Sequence, residues 1–108
     1  MTMTLQDAQH VSWKIFNKIN SRLKAEKGQG CDPSVVVADL LEESGRVAAV
    51  VYGLEGLEPT EKTQSKEKLA RELNHLLYSV FVLAERYGIN LEESFLEQVN
   101  EYLLGSLT

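Results

Sequence analysis

The fold is decided by residues 72–88, which read ELNHLLYSVFVLAERYG. This stretch has no proline and ends at Gly88, a residue type that often closes helices in the left-handed conformation. It therefore predicts a helix from about Lys66 to Tyr87. Because residues 76–84 are apolar around nearly the whole helix, we expect a second chain to cover one face, in a homodimer or higher homo-oligomer.

Glycine and proline divide the rest of the chain into further helical segments. In the first, residues 5–26, apolar residues recur at three- and four-residue steps and form one stripe: Leu5, Ala8, Ile15, Phe16, Ile19 and Leu23. Asp32 before Pro33 predicts an N-cap followed by proline in the first turn of a second helix. We predict that this helix ends in a left-handed cap at Gly53.

A polar linker is expected at residues 53–65, before the third helix. Asn90 with Glu93 predicts a capping box at the start of a fourth helix, which ends near Gly105. Four helices with mostly short connections favour an all-α, antiparallel four-helix bundle. At 108 residues the chain has room for one core, so we expect a single domain over residues 1–108.

Charge and composition disfavour several classes of partner. The net charge of −5 repels nucleic-acid backbone and anionic lipid, so we expect neither nucleic acid nor membrane as a partner. No apolar run approaches the roughly 20 residues that span a bilayer, and the first nine residues lack a signal-peptide pattern. The single cysteine, Cys31, excludes an intrachain disulfide and suits a cytoplasmic protein; we interpret it as a free thiol in a loop.

The candidate chemistry lies on the second and third helices. Glu43 falls inside an apolar stripe, where a carboxylate is costly unless a metal or cation compensates it. Asp39 and Arg46 flank it, and the mid-helix Gly45 suggests a close approach of a helix or ligand. On the third helix, the pair Glu72 and His75 lies at the edge of the apolar stripe. The sequence alone leaves a plainer reading open, in which these residues form surface ion pairs, including Glu72 with Lys68.

Three stretches resemble the MazG-like family of all-α nucleoside triphosphate pyrophosphohydrolases: LLEESGRV (40–47), RELNHLLY (71–78) and LAERYGINLEE (83–93). The resemblance covers about residues 31–102. It implies a helical bundle and cleavage of a nucleoside triphosphate to a monophosphate and pyrophosphate. Members of that family hold Mg²⁺ with a Glu-x-x-Glu pair on one helix and a Glu-x-x-Asp pair on the next, because a hard cation requires several carboxylate oxygens.

The sequence departs from this motif at the second member of each pair. Glu43 and Glu72 match the first members, but Arg46 stands in place of Glu and His75 in place of Asp. Towards the C-terminus, Gln98 and Tyr102 occupy positions where the family often has Lys and Asn. The resemblance therefore implies a degraded metal site with weak or lost hydrolysis.

We expect that any Mg²⁺ is held by Glu43 and Glu72, with Glu42 and Asp39 as further candidate ligands. Arg46 and His75 would then contact phosphate or a partner. A non-catalytic nucleotide- or protein-binding scaffold is the main alternative. A lesser one is a dimeric di-iron carboxylate bundle, because Glu-x-x-His is also the spacing of such sites.

Overall fold

The computed structural model describes residues 2–27, 32–57 and 64–105. They form four helices, α1 (Leu5–Lys27), α2 (Pro33–Leu54), α3 (Lys66–Arg86) and α4 (Leu91–Gly105). No strand occurs in these ranges, so the all-α prediction is confirmed. Over the same ranges, no helix has the length and apolar character needed to cross a membrane. The prediction for Cys31 and the middle of the expected linker lie outside the described residues.

Side chains cap the N-termini of α2 and α4 by accepting hydrogen bonds from backbone N–H groups in the first turn. The Asp32 carboxylate accepts a hydrogen bond from the Val35 backbone N–H at 3.1 Å, with Pro33 in the first turn of α2. The Asn90 side chain accepts from the Glu93 N–H at 3.1 Å at the start of α4. Both predicted starts are confirmed.

A further cap, at α1, had not been predicted. There the Thr4 N–H donates to the Asp7 carboxylate, and the Asp7 N–H donates to the Thr4 hydroxyl. The hydrogen bond from the Thr4 backbone to the carboxylate, followed by interaction with the Thr4 side chain, lowers the pKa of Asp7.

The predicted end of α2 at Gly53 is wrong, because the helix continues to Leu54. The Glu55 N–H still bonds the Val51 carbonyl at 2.9 Å, so Gly53 is an ordinary helical residue. The left-handed residue is Gly56, with φ of 67°, and the Leu57 N–H bonds back to the Tyr52 carbonyl at 2.9 Å. The chain therefore leaves α2 through a Schellman-type turn three residues later than expected. Gly88, also at φ 67°, closes α3 as predicted.

The chain divides into two compact units, Cys31–Val80 and Met1–Gly30 with Phe81–Thr108. In the unit Cys31–Val80, α2 buries Val36, Glu43 and Val50. These residues are seven positions apart, about two helical turns, so they line one face of the helix. A Cβ on Gly45 would meet no atom within 4 Å, so the expected close helix approach there is wrong. Glu43 thus lies between two apolar side chains on the buried face of α2.

In the other unit, a buried glutamine ties α1 to the turn between α3 and α4. The Gln9 amide donates to the Ile89 carbonyl at 2.6 Å and to the Glu85 carboxylate at 3.2 Å. Its carbonyl accepts from the Leu91 N–H at 3.2 Å, so both ends of the amide are used. The predicted α1 stripe is only partly buried, because Ile15 and Ile19 remain exposed.

Replacing Gln9 by alanine is expected to lower the free energy of unfolding by about 2 kcal/mol, because backbone groups at Ile89 and Leu91 lose their partner in a buried setting. Chemical denaturation followed by circular dichroism measures the change. Gln6→Ala on the same helix is the matched control and should change it by less than about 0.5 kcal/mol. Equal losses in the two variants would contradict a specific role for Gln9.

Candidate metal centre

Glu43 is the most deeply placed carboxylate of the candidate site. It is 8% exposed, and its two oxygens have different surroundings. Oε1 accepts a hydrogen bond from Arg46, whereas Oε2 is buried and has no hydrogen-bond partner among the described residues. A buried carboxylate oxygen without a partner is energetically costly, so this atom is suited to a cation.

Glu72 and His75 complete a compact group with Glu43. They are three residues apart on α3, which places them on one helix face. One donor atom from each of the three residues lies within 4.8 Å of the others, and His75 Nδ1 is 3.8 Å from Glu43 Oε1. Glu72 Oε2 is also buried without a partner in the described ranges. Ions with metal–ligand distances of about 2.1 to 2.6 Å accept donors up to roughly 4 to 5 Å apart, so this group can hold a metal ion.

Arg46 supplies the counter-charge at this site. Its guanidinium pairs with Glu42 at i−4 and with Glu43 at i−3. The nearby Glu42 carboxylate, followed by the hydrogen bond to Glu43, raises the pKa of Arg46 above its ordinary value. The carboxylates of Glu42, Glu43 and Glu72 against one guanidinium leave two formal negative charges. That residual charge matches a divalent cation.

Two pockets flank the group within the unit Cys31–Val80. The larger, of about 320 Å³, is lined by Asp39, Glu42, Glu43, Arg46, His75, Tyr78 and Ser79. The other, of about 280 Å³, is lined by Arg46, Ala49, Val50, Gln64, Lys68 and Glu72. The first pocket is predominantly acidic. The second adds a lysine beside the Glu72 carboxylate, so the charge differs between the two sides of the group.

The structure brings together most of the residues predicted from sequence. Glu43 and Glu72 lie in the donor group, while Asp39 and Glu42 line the larger pocket outside it. His75, expected as a phosphate or partner contact, also contributes a nitrogen to this candidate donor group.

The plainer reading of Glu72 as a surface ion pair finds no support, because Lys68 forms no salt bridge with it in the described part of the chain. Gln64 was missed by the sequence reasoning. The Gln64 Oε1 atom is buried and has no partner among the described residues. The residue was not predicted because it lies in the segment expected to be a polar linker and belongs to no recognisable motif.

Comparison with known proteins adds no relative to this picture. No family model matches the chain, and no curated protein and no solved structure is significantly similar to it. Any assignment of function therefore depends on the geometry of the donor group and on the motif resemblance.

Proposed function

We propose that this protein binds a divalent metal ion with Glu43, Glu72 and His75 and, through it, a nucleoside triphosphate, as a MazG-like protein with weak or no hydrolysis. The observation that carries the proposal is the compact group of donor atoms from Glu43, Glu72 and His75. Each of the two glutamates also has a buried oxygen, Oε2, with no hydrogen-bond partner among the described residues. A divalent cation would be held by the carboxylates of Glu43 and Glu72 and the imidazole of His75, and would supply positive charge that attracts the phosphate groups of a nucleotide.

The donor chemistry favours Mn²⁺ over the Mg²⁺ that the family resemblance implies. Mg²⁺ requires near-ideal octahedral oxygen ligands at about 2.0 to 2.1 Å, whereas imidazole suits transition metals. In this protein one of the three donors is the His75 imidazole, and the donor atoms spread over up to 4.8 Å. Both features fit Mn²⁺, which is larger than Mg²⁺ and binds nitrogen ligands more readily.

The pocket lined by Lys68 and Arg46 is the proposed place for the phosphate groups. Lys68 makes no ion pair among the described residues, so its ammonium group can interact with an anion. Glu72, at the wall of the same pocket, connects this basic side to the metal donors. The acidic pocket with Asp39 and Glu42 is unsuited to phosphate and suits the hydrogen-bond donors of a base or sugar.

The hydrogen bonds of Arg46 to the Glu43 and Glu42 carboxylates account for weak or absent hydrolysis. Arg46 engages an oxygen of Glu43 and one of Glu42. Hydrogen bonding to a guanidinium makes a carboxylate a poorer metal ligand and a poorer general base. Arg46 also disfavours the di-iron alternative, because a fixed cation beside Glu43 repels a pair of metal ions.

The proposed function is tested by calorimetric titration of a non-hydrolysable nucleoside triphosphate with and without Mn²⁺. We expect saturable binding that requires Mn²⁺ and is weakened in Lys68→Gln. Lys24→Gln on α1 is the control and should bind like the unaltered protein. Nucleotide binding that is independent of metal, or no binding in its presence, would contradict the proposal. Pyrophosphate release measured in parallel separates a slow enzyme from a binding protein.

Replacing His75 by alanine is expected to weaken Mn²⁺ binding about tenfold or more while changing Mg²⁺ binding little, because only Mn²⁺ gains substantially from the imidazole. Asn74→Ala, at an exposed neighbouring position of α3, is the control. Competition titrations with both ions measure the ratio of the two affinities. An equal loss for Mn²⁺ and Mg²⁺ would show that His75 acts on the structure of the site and does not select the metal.

A further inference from the structure

Arg46 lies on the boundary between the two pockets of the candidate metal centre. It lines both the acidic pocket that contains Asp39 and the pocket that contains Lys68. Its two terminal nitrogens are engaged on the acidic side, one by Glu42 and the other by Glu43. The side chain is 51% exposed, so the guanidinium can turn towards the other pocket while α2 keeps its place.

Three carboxylates hold the guanidinium in its present position. Glu42 contributes most to the raised pKa of Arg46, followed by Glu43, and Glu72 adds to it. With a divalent ion in the donor group, two of these three negative charges are compensated and an oxygen of Glu43 is needed as a ligand. Both reasons for Arg46 to stay on the acidic side therefore weaken when the metal site is filled.

The pocket lined by Lys68 offers the released guanidinium a new partner once phosphate is present. A guanidinium binds two phosphate oxygens through parallel hydrogen bonds, and Arg46 and Lys68 are the cationic residues that line this pocket. A guanidinium already paired with two carboxylates attracts phosphate much less. Phosphate in this pocket, in turn, draws Arg46 away from Glu43 and leaves that carboxylate available to the metal.

We propose that Arg46 couples the two ligands, so that metal binding at Glu43 releases its guanidinium for phosphate and phosphate binding clears Glu43 for the metal. This inference rests on the proposed function and adds its regulation, because the protein then holds phosphate ligands tightly only when a divalent ion is bound. Linkage is reciprocal, so each ligand raises the affinity of the other by the same factor. An Arg46–Glu43 pair that weakens Mn²⁺ binding about tenfold gives a coupling of about tenfold.

Calorimetric titration of inorganic triphosphate into the full-length protein, without metal and at saturating Mn²⁺, measures the coupling as the ratio of the two dissociation constants. Mn²⁺ also binds triphosphate in solution, but this equilibrium is the same for every variant and cancels when ratios are compared. We expect the ratio for the unaltered protein to exceed that for Arg46→Gln about tenfold. Arg86→Gln, at a position outside both pockets, is the charge-matched control and should keep the full ratio.

Glu42→Gln tests how Arg46 is held, because it leaves the guanidinium and the three metal donors unchanged. Asp39→Asn makes the same change of charge in the same pocket and is its matched control. We expect metal-free triphosphate binding to tighten at least about threefold more in Glu42→Gln than in Asp39→Asn, because of these two residues only Glu42 forms an ion pair with Arg46 in the described part of the chain. Circular dichroism verifies that each variant folds.

Equal ratios in the unaltered protein and in Arg46→Gln would overturn the coupling and leave the metal and nucleotide sites of the proposed function standing. Equal tightening in Glu42→Gln and Asp39→Asn would also overturn it, because the effect would then be one of charge alone. An unaltered protein that binds no Mn²⁺, or no triphosphate at saturating Mn²⁺, would contradict the proposed function and this inference with it.

Discussion

Replacement of Glu72 by glutamine is expected to weaken Mn²⁺ binding by roughly 100-fold or more. The change keeps the size of the side chain but removes one of the two carboxylates of the donor group. Even residues that only orient metal ligands alter affinity by about 10- to 100-fold, so loss of a charged ligand should reach or exceed that range. Calorimetry with Mn²⁺ measures the effect directly.

The control for this substitution is Glu67→Gln, an exposed glutamate in the first turn of the same helix. It changes the net charge by the same amount and should leave Mn²⁺ binding unaltered. In the metal-free protein, Glu72→Gln is expected to raise thermal stability, because an unpartnered buried oxygen no longer carries charge. Equal Mn²⁺ affinities for Glu72→Gln and the unaltered protein would remove Glu72 from the site.

Replacement of Arg46 by glutamine is expected to tighten Mn²⁺ binding about tenfold. The guanidinium bonds the same Glu43 carboxylate that the metal requires and places a positive charge beside it. Its removal frees an oxygen of Glu43 and makes the local field more negative. Because the Arg46 side chain is about half exposed, the gain should shrink as salt is added.

Titrations of Mn²⁺ at low and high ionic strength measure the gain in affinity and its dependence on salt. Arg86→Gln, at the end of α3, is the charge-matched control. Unchanged or weaker Mn²⁺ binding in Arg46→Gln would mean that the guanidinium supports the site and does not compete with the metal. In the nucleotide titration the same variant is expected to lose affinity for triphosphate, because Arg46 lines the proposed phosphate pocket. Opposite effects on metal and nucleotide would separate the two roles.

Arg46 also accounts for how Glu43 is buried without a metal. A lone carboxylate at 8% exposure would be strongly disfavoured, but the guanidinium three residues later neutralises one of its oxygens. The other oxygen has no hydrogen-bond partner in the described part of the chain. If the proposed metal binding holds, Arg46 both stabilises the buried Glu43 in the metal-free chain and competes with the metal for its carboxylate.

Sequence predicted the features that depend on local chemistry. Each acts on backbone within a few residues of itself. Asp32 and Asn90 cap the starts of α2 and α4, and Gly88 closes the C-terminus of α3, as expected. The burial of Glu43 was also predictable, because its position inside an apolar stripe follows from helical spacing alone. The prediction at Gly53 was wrong because a second glycine, Gly56, lies three residues later, adopts the left-handed conformation and completes the hydrogen-bonded turn.

The remaining features depend on how helices pack, which spacing within one helix does not reveal. Ile15 and Ile19 belong to the predicted stripe of α1, yet the buried positions there are Gln9 and Ser12. His75 joins the donor group because α3 is rotated so that this side chain faces Glu43, and no local rule fixes that rotation. For the same reason, the sequence did not predict that His75 lies close to Glu43 and Glu72.

The central claim, that Glu43, Glu72 and His75 hold a divalent cation, is tested most directly by anomalous diffraction from crystals grown with Mn²⁺. We predict one anomalous peak per chain in the described region, within about 2.5 Å of a carboxylate oxygen of each glutamate and of the His75 imidazole. A peak elsewhere, or none at a Mn²⁺ concentration that saturates nucleotide binding, would contradict the account.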